Sequence, residues 1–274
     1  LPSAAREINA EGFYILPGVI DSHVHLREPG YTYKEDFATG TMAAACGGVT
    51  LVLDMPNTMP PTATREALEQ KKRLAAEKAY VDYGIYGLLV QENLDQLLSL
   101  IEGGVIGFKC YMGETVGQIP APDDGVLLEA LKLTGSRGYR VAVHAENNAI
   151  MQHLIRRFKA EGRTDPLAHV DSRPEICAVE AVSRAIHLAE WARAKLHICH
   201  EGCKDVLPII QAAKARGVVL MTGWALGVAV AVRETVAVGL TVGVRVGLPV
   251  TVAVAVRVAL NWPVAVAVVV LVGV

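Results

Sequence analysis

An α/β fold of parallel strands covered by helices is what the sequence predicts, on three observations. Short β-rich runs alternate with longer helical runs up to about residue 222. The β-rich runs are almost continuously apolar, as befits strands buried on both faces. Seven such strand–helix units follow one another, one short of a closed (β/α)8 barrel of the TIM type. A doubly wound open sheet is the competing arrangement, but no Gly-rich phosphate loop follows the first strand.

Taken in order, the strand candidates are 18–25, 48–54, 81–89, 105–111, 139–144, 195–200 and 218–222. The helix candidates between them are 34–46, 64–79, 92–102, 124–135, 147–161, 174–193 and 203–216. The run 64–79 sets Leu68, Leu74 and Ala75 at helical spacing among charged positions, and 203–216 repeats this with Val206, Ile209, Ile210 and Ala213. Gly47-Gly48, Gly103-Gly104 and Gly217 fall just after helices, where a left-handed cap is wanted.

The chain is organised around residues 17–30, PGVIDSHVHLREPG. Asp21, His23 and His25 stand at every second position, so a short strand projects all three from one face. Pro29-Gly30 stops the strand just beyond them and leaves the cluster at a mouth. Two imidazoles one residue apart on a strand end are a good start for a divalent metal site.

At 274 residues the chain is long enough for one barrel or two smaller domains, and its net charge of −2 gives no reason to expect nucleic acid or an anionic membrane as partner. Five scattered cysteines, Cys46, Cys110, Cys177, Cys199 and Cys203, form no disulfide framework and favour a reducing cytoplasm. The first stretch is not a signal peptide, and with Leu at position 1 the chain is expected to start inside a longer gene product.

The residues from Gly223 onward differ from the rest. Twenty of them are Val, and Asp, Lys, His, Cys, Ser, Gln, Ile, Met, Phe and Tyr are absent. Such runs have strand propensity but almost no turn chemistry. The longest uncharged stretch, 258–274, is short and interrupted by Asn261 and Pro263, so no membrane span is expected. We read 223–274 as an unreliable stand-in for the remainder of the barrel and of a second domain, and draw no function from it.

Barrel enzymes place their chemistry at the C-terminal ends of the strands. There lie His23 and His25 on the first strand, Asn57 just past the second, Lys109 on the fourth, His144 on the fifth and His200 on the sixth. His144 taken singly reads better as a hydrogen-bonded core histidine. Lys109 sits between Phe108 and Cys110, where a buried ammonium is costly without a partner. Burial should lower its pKa, and a neutral amine reacts with carbon dioxide to give a carbamate, an anionic ligand suited to bridging two cations. Of His197 and His200, three apart on one strand, only one can point inward, and His200 is expected there with His197 packed outward among helices. His153, His169 and His187 are expected at the surface.

With these residues in place, the chain resembles the cyclic amidohydrolases: dihydroorotases, hydantoinases and allantoinases. The resemblance covers roughly residues 8–222 and rests on PGVIDSHVHLREPG, KEDFATGTMAAACGGVTLVLDMPNTMPPT, GFKCYMGET, VAVHAEN and LHICHEG. It implies a (β/α)8 barrel at 17–222 with a binuclear zinc centre, and a small β-sandwich of which 1–16 holds a possible remnant. It further implies a homo-oligomer, dimer or tetramer, acting on a small cyclic amide. Carried over, His23 and His25 would bind one zinc, His144 and His200 the other, and carbamylated Lys109 would bridge the two Zn2+. HVHLR and MPNT look most like dihydroorotase, with Arg27 and Asn57 holding the substrate carboxylate, as a guanidinium fork and an amide NH2 suit. For Arg27 a salt bridge with Glu28 or Glu35 is the alternative.

The activity expected is zinc-assisted interconversion of dihydroorotate and N-carbamoyl-aspartate in pyrimidine biosynthesis. Ring opening of an uncharged cyclic ureide is the alternative, since GFKCYM and SRPEICAVEAVSRAI look like allantoinase or hydantoinase; a catalytically silent scaffold is the third. One departure stands out: the family pattern has a metal-binding, proton-shuttling aspartate on the eighth strand, and no Asp follows Asp205.

Overall fold

Capping side chains open most of the longer helices and fix where strand gives way to helix. In this computed structural model, which describes residues 9–114, 119–224, 251–254 and 270–273, helix α1 (Phe37–Cys46) starts at Asp36, whose carboxylate accepts from the Thr39 N–H at 2.7 Å. Thr64 does the same for α2 (Arg65–Lys78), Asp123 for α4 (Asp124–Gly135), Asn147 for α5 (Asn148–Ala160) and Asp165 for α6 (Pro166–Asp171). The remaining helices are α3 (Leu97–Glu102), α7 (Ile176–Ala192) and α8 (Leu207–Ala215). At three exits the chain turns left-handed on Gly48, Gly104 and Gly217, as their positions after helices suggested. The short α6 was not foreseen; Pro166 at its first position and Asp165 as its cap are its sequence signals.

The strands are β1 (Val19–Val24), β2 (Val49–Asp54), β3 (Asp82–Ile85), β4 (Gly87–Leu89), β5 (Phe108–Tyr111), β6 (Arg140–His144), β7 (Lys195–Glu201) and β8 (Leu220–Trp224). All neighbours pair parallel, in the orders β1-β2-β3 and β4-β5-β6-β7-β8. Only Tyr86 separates β3 from β4, and its N–H donates to the Asp54 carbonyl, so the two act as one strand shared between β2 and β5. Neighbours therefore follow chain order without reversal, which rules out the doubly wound sheet and leaves barrel topology. The eighth barrel strand and the β-sandwich fall largely on residues outside the described ones; residues 9–18 carry no strand. In the tail, β9 (Thr251–Val254) and β10 (Val270–Gly273) pair antiparallel. Among the described residues no helix is long and apolar enough to cross a membrane.

Strand alternation sorts the core into two layers. Phe108, Cys110, Val141, Val143, Leu196 and Ile198 face outward into the main cluster, against Leu68, Leu100, Leu131 and Ile186 from the helices. Leu53, Met55, Tyr86, Ala142 and Cys199 meet on the inner face. Beneath the mouth, the fully buried Lys71 ammonium of α2 lies 2.5 Å from the Asp54 carboxylate and donates to the Met55 carbonyl at 2.8 Å. Asp54 in turn accepts from the Leu26 N–H at 2.8 Å, tying the end of β1 to β2 and α2. Breaking a buried pair strands the surviving charge. Lys71→Met is therefore expected to lower unfolding free energy by about 3–5 kcal/mol in urea titration; a change below about 1 kcal/mol would show the pair carries no such weight.

Candidate metal centre at the barrel mouth

The structure brings the expected residues together at the C-terminal ends of the strands. His23 lies on β1 and His25 just beyond it, with their Nε2 atoms 3.3 Å apart. His144 ends β6, and its Nδ1 is 3.3 Å from Nε2 of His200 on β7. The two imidazole pairs adjoin, the rings of His23 and His200 being 5.0 Å apart between centroids. Lys109 on β5 is fully buried on the barrel's inner side, its Nζ 5.1 Å from the centre of the Tyr111 ring.

A local irregularity makes this convergence possible. The register of β7 against β8 slips between Ile198 and Glu201, and His200 adopts a left-handed backbone with φ of 33°. The slip turns His200 to the mouth although Cys199, its neighbour, already faces the interior. His197 also departs from expectation: it is buried on the inner face with Cys199, two positions away, not outward among helices. The reasoning from strict alternation failed because the bulge breaks the period of two. His153, His169 and His187 are exposed, as expected.

The electrostatics favour metal-binding protonation states. Burial first, and the Lys109 charge second, hold His23 down to about 2 and His200 and His197 to about 4. His25 is likewise lowered to about 4, by burial and then Arg27. All four rings are thus neutral at pH 7, with a lone pair available. Burial also lowers the Lys109 pKa toward the neutral, nucleophilic amine.

The donor set fits divalent metal. Two nitrogens bound to one ion at about 2.1 Å and a tetrahedral angle stand about 3.4 Å apart, and both imidazole pairs sit at 3.3 Å. Two buried atoms, His23 Nδ1 and Lys109 Nζ, have no nitrogen or oxygen hydrogen-bond partner among the described residues, the Cys199 thiol being the polar group that acts on the lysine. No group of three His, Cys, Asp or Glu converges among those residues, so each pair supplies two donors and needs Lys109 or a further ligand to complete it.

Around the pairs stand residues of several kinds. Asn57 is buried, with its Oδ1 2.7 Å from His25 Nδ1, so its carbonyl faces a histidine and not open space. Arg27 is half-buried in a left-handed backbone and forms no ion pair among the described residues. The alternative partners are engaged elsewhere: Glu28 with Lys78 and the Phe37 N–H, Glu35 with Thr39 and the Asp36 N–H. Sequence reasoning missed Glu146, whose Oε2 lies 2.7 Å from His144 Nε2; its place two residues beyond His144 was the available signal. A cavity of about 330 Å³ opens beside it, lined by His144, Glu146, Arg173, His200, Glu201 and Cys203.

Because a buried unpartnered amine opposes folding, Lys109→Met is expected to stabilise the metal-free protein by about 1–3 kcal/mol while abolishing most zinc uptake. Urea unfolding beside metal analysis checks this; a destabilised variant would mean that Lys109 is satisfied without metal.

The sequence profile described as the amidohydrolase family matches residues 14–249. An allantoinase from Deinococcus radiodurans is 41% identical over 217 residues, covering 78% of this chain and 48% of its own. An allantoinase from Solibacter usitatus is 44% identical over 202 residues, 73% of this chain and 44% of the relative. Among solved structures, the L-hydantoinase (dihydropyrimidinase) from Arthrobacter aurescens superposes with a TM-score of 0.76 at 34% identity, over 80% of this chain and 49% of that one. The chain thus spans about half the length of the relatives it matches. These relatives carry allantoinase and hydantoinase names, which favours the uncharged-ureide alternative over dihydroorotase. With parallel strands in barrel order and a family match across residues 14–249, the chain belongs to the amidohydrolase family.

Proposed function

We propose that the full-length protein hydrolyses an uncharged cyclic ureide of the allantoin or hydantoin class with the help of two zinc ions. The observation that carries this reading is the meeting of two imidazole pairs beside a buried lysine at the barrel mouth. The substrate class is taken from the allantoinases and the hydantoinase to which the chain is similar.

His23 and His25 would hold one ion and His144 and His200 the other. Lys109, as its carbamate, would join them: the neutral amine adds to carbon dioxide, forming the N–C bond and releasing one proton to solvent. Bound there, zinc lowers the pKa of water to about 7 and polarises a carbonyl. The chain's own residues do the rest. The lowered imidazole pKa values keep the rings unprotonated, and the half-buried Arg27 offers donors to a ring carbonyl. The late-strand aspartate expected to move the proton has no counterpart in this sequence, where no Asp follows Asp205. The same reading takes 17–222 as the barrel and the protein as a cytoplasmic homo-oligomer.

Dihydroorotate is the second reading, favoured by the Arg27 guanidinium, which acts on His25 and forms no ion pair among the described residues. Asn57 is compatible with it, since its carbonyl takes His25 Nδ1 while its NH2, the part of the amide that can donate to a carboxylate, is not used by that bond.

Ring-opening rates of the full-length, zinc-supplemented protein separate these. We expect kcat/KM on allantoin or hydantoin to exceed that on dihydroorotate about tenfold or more. The reverse preference, lost selectively in Arg27→Met, would establish the second reading. No turnover on any ring with metal bound would mark a silent relative.

A further inference from the structure

We infer that Asn57 and Glu146 are positioning residues that select which ring nitrogen His25 and His144 turn toward the metal. The inference rests on the metal centre proposed above but not on its substrate.

A neutral imidazole carries one N–H and one lone pair, so fixing the proton on one nitrogen presents the other as ligand. At His25 the partner of Nδ1, at 2.7 Å, is the Asn57 amide oxygen, which only accepts. Nδ1 therefore holds the proton, and the lone pair lies on Nε2, the atom 3.3 Å from His23 Nε2. At His144 the arrangement is mirrored. Nε2 donates to Glu146 Oε2 at 2.7 Å, and the lone pair lies on Nδ1, the atom 3.3 Å from His200 Nε2. Each pair thus contains one ring locked by a side-chain oxygen. The other ring, His23 or His200, has no such acceptor among the described residues, and His23 Nδ1 is buried without any partner.

Glu146 is itself held, with Arg173 Nε 3.8 Å from the same oxygen. Asn57 lies two residues beyond Met55, whose N–H donates to the Val24 carbonyl at 2.9 Å and whose carbonyl takes the Lys71 ammonium, so the backbone leading to it is anchored to the strand that carries His23. Outer acceptors of this kind fix the tautomer and raise ligand basicity, and their loss costs about 10–100-fold in metal affinity. Asn57 accordingly acts on His25, a role different from reading a substrate carboxylate.

Two readouts on the full-length protein test this without any substrate. Long-range 1H–15N NMR of the metal-free protein should find His25 protonated at Nδ1 and His144 at Nε2. In Asn57→Ala and Glu146→Ala each ring should populate both tautomers, and competition with a chromophoric chelator should show one of the two zinc affinities weakened about 10–100-fold. Asn57→Asp and Glu146→Gln keep an oxygen acceptor and should restore both signals, which a general loss of stability would not do. Unchanged zinc affinity in both alanine variants overturns the proposal, as does a wild-type His25 protonated at Nε2. A wild type that binds two zinc ions with these tautomers but opens no ring leaves the positioning role standing and removes the ureide reading.

Discussion

The buried amine of Lys109 is the constraint on which the mouth of the barrel depends. A primary amine taken fully out of water, with no nitrogen or oxygen partner among the described residues and only the Cys199 thiol acting on it, is unfavourable in either protonation state, more so when charged. Strand β5 nonetheless points it inward, because its neighbours Phe108 and Cys110 are committed to the outer core. The cost becomes intelligible if the amine is an incomplete ligand. Its charge is also the second cause, after burial, of the low pKa values of His23 and His200. Burial, the first cause for the amine and for the imidazoles alike, moves all of them toward their neutral forms.

Two further devices hold the histidines over that amine. On one side of the barrel, the Asp54–Lys71 pair grips Leu26, the residue between His25 and Arg27. Both flanking residues are then set by a single buried hydrogen bond, and the left-handed backbone of Arg27 is part of the same turn. On the other side, the slip in β7 re-aims His200 against His144. Residues held in sparsely populated backbone conformations gather at functional sites, and here Arg27 and His200 both flank the imidazole cluster.

Most of this was legible in the sequence, for reasons that are local. His23 on β1 and His25 just beyond it come together as their spacing suggested, with Nε2 atoms 3.3 Å apart, and Lys109 between two apolar residues announced its own burial. Seven strand runs and their helices appear where alternation of apolar patterns put them. What could not be read were departures from periodicity and contacts across strands. The bulge at His200 misdirected His197, since nothing in LHICHEG marks a slip. The Asn57–His25 and Glu146–His144 bonds join side chains whose approach depends on loop geometry; Asn57 and His25 are 32 positions apart. HVHLR and MPNT pointed to dihydroorotase while the relatives' names favour the allantoinase and hydantoinase alternative, because a guanidinium and an amide at a mouth do not fix which ring they meet. The residues from Gly223 onward offered no chemistry to read, being Val-rich and without Asp, Lys, His or Cys.

Anomalous diffraction at the zinc absorption edge, from crystals of the full-length protein grown with zinc and bicarbonate, tests the central claim most directly. The account predicts two peaks, one beside His23 and His25 and one beside His144 and His200, with density continuous from Lys109 Nζ reaching both. A single peak, or two peaks away from a bare Lys109 amine, would contradict it.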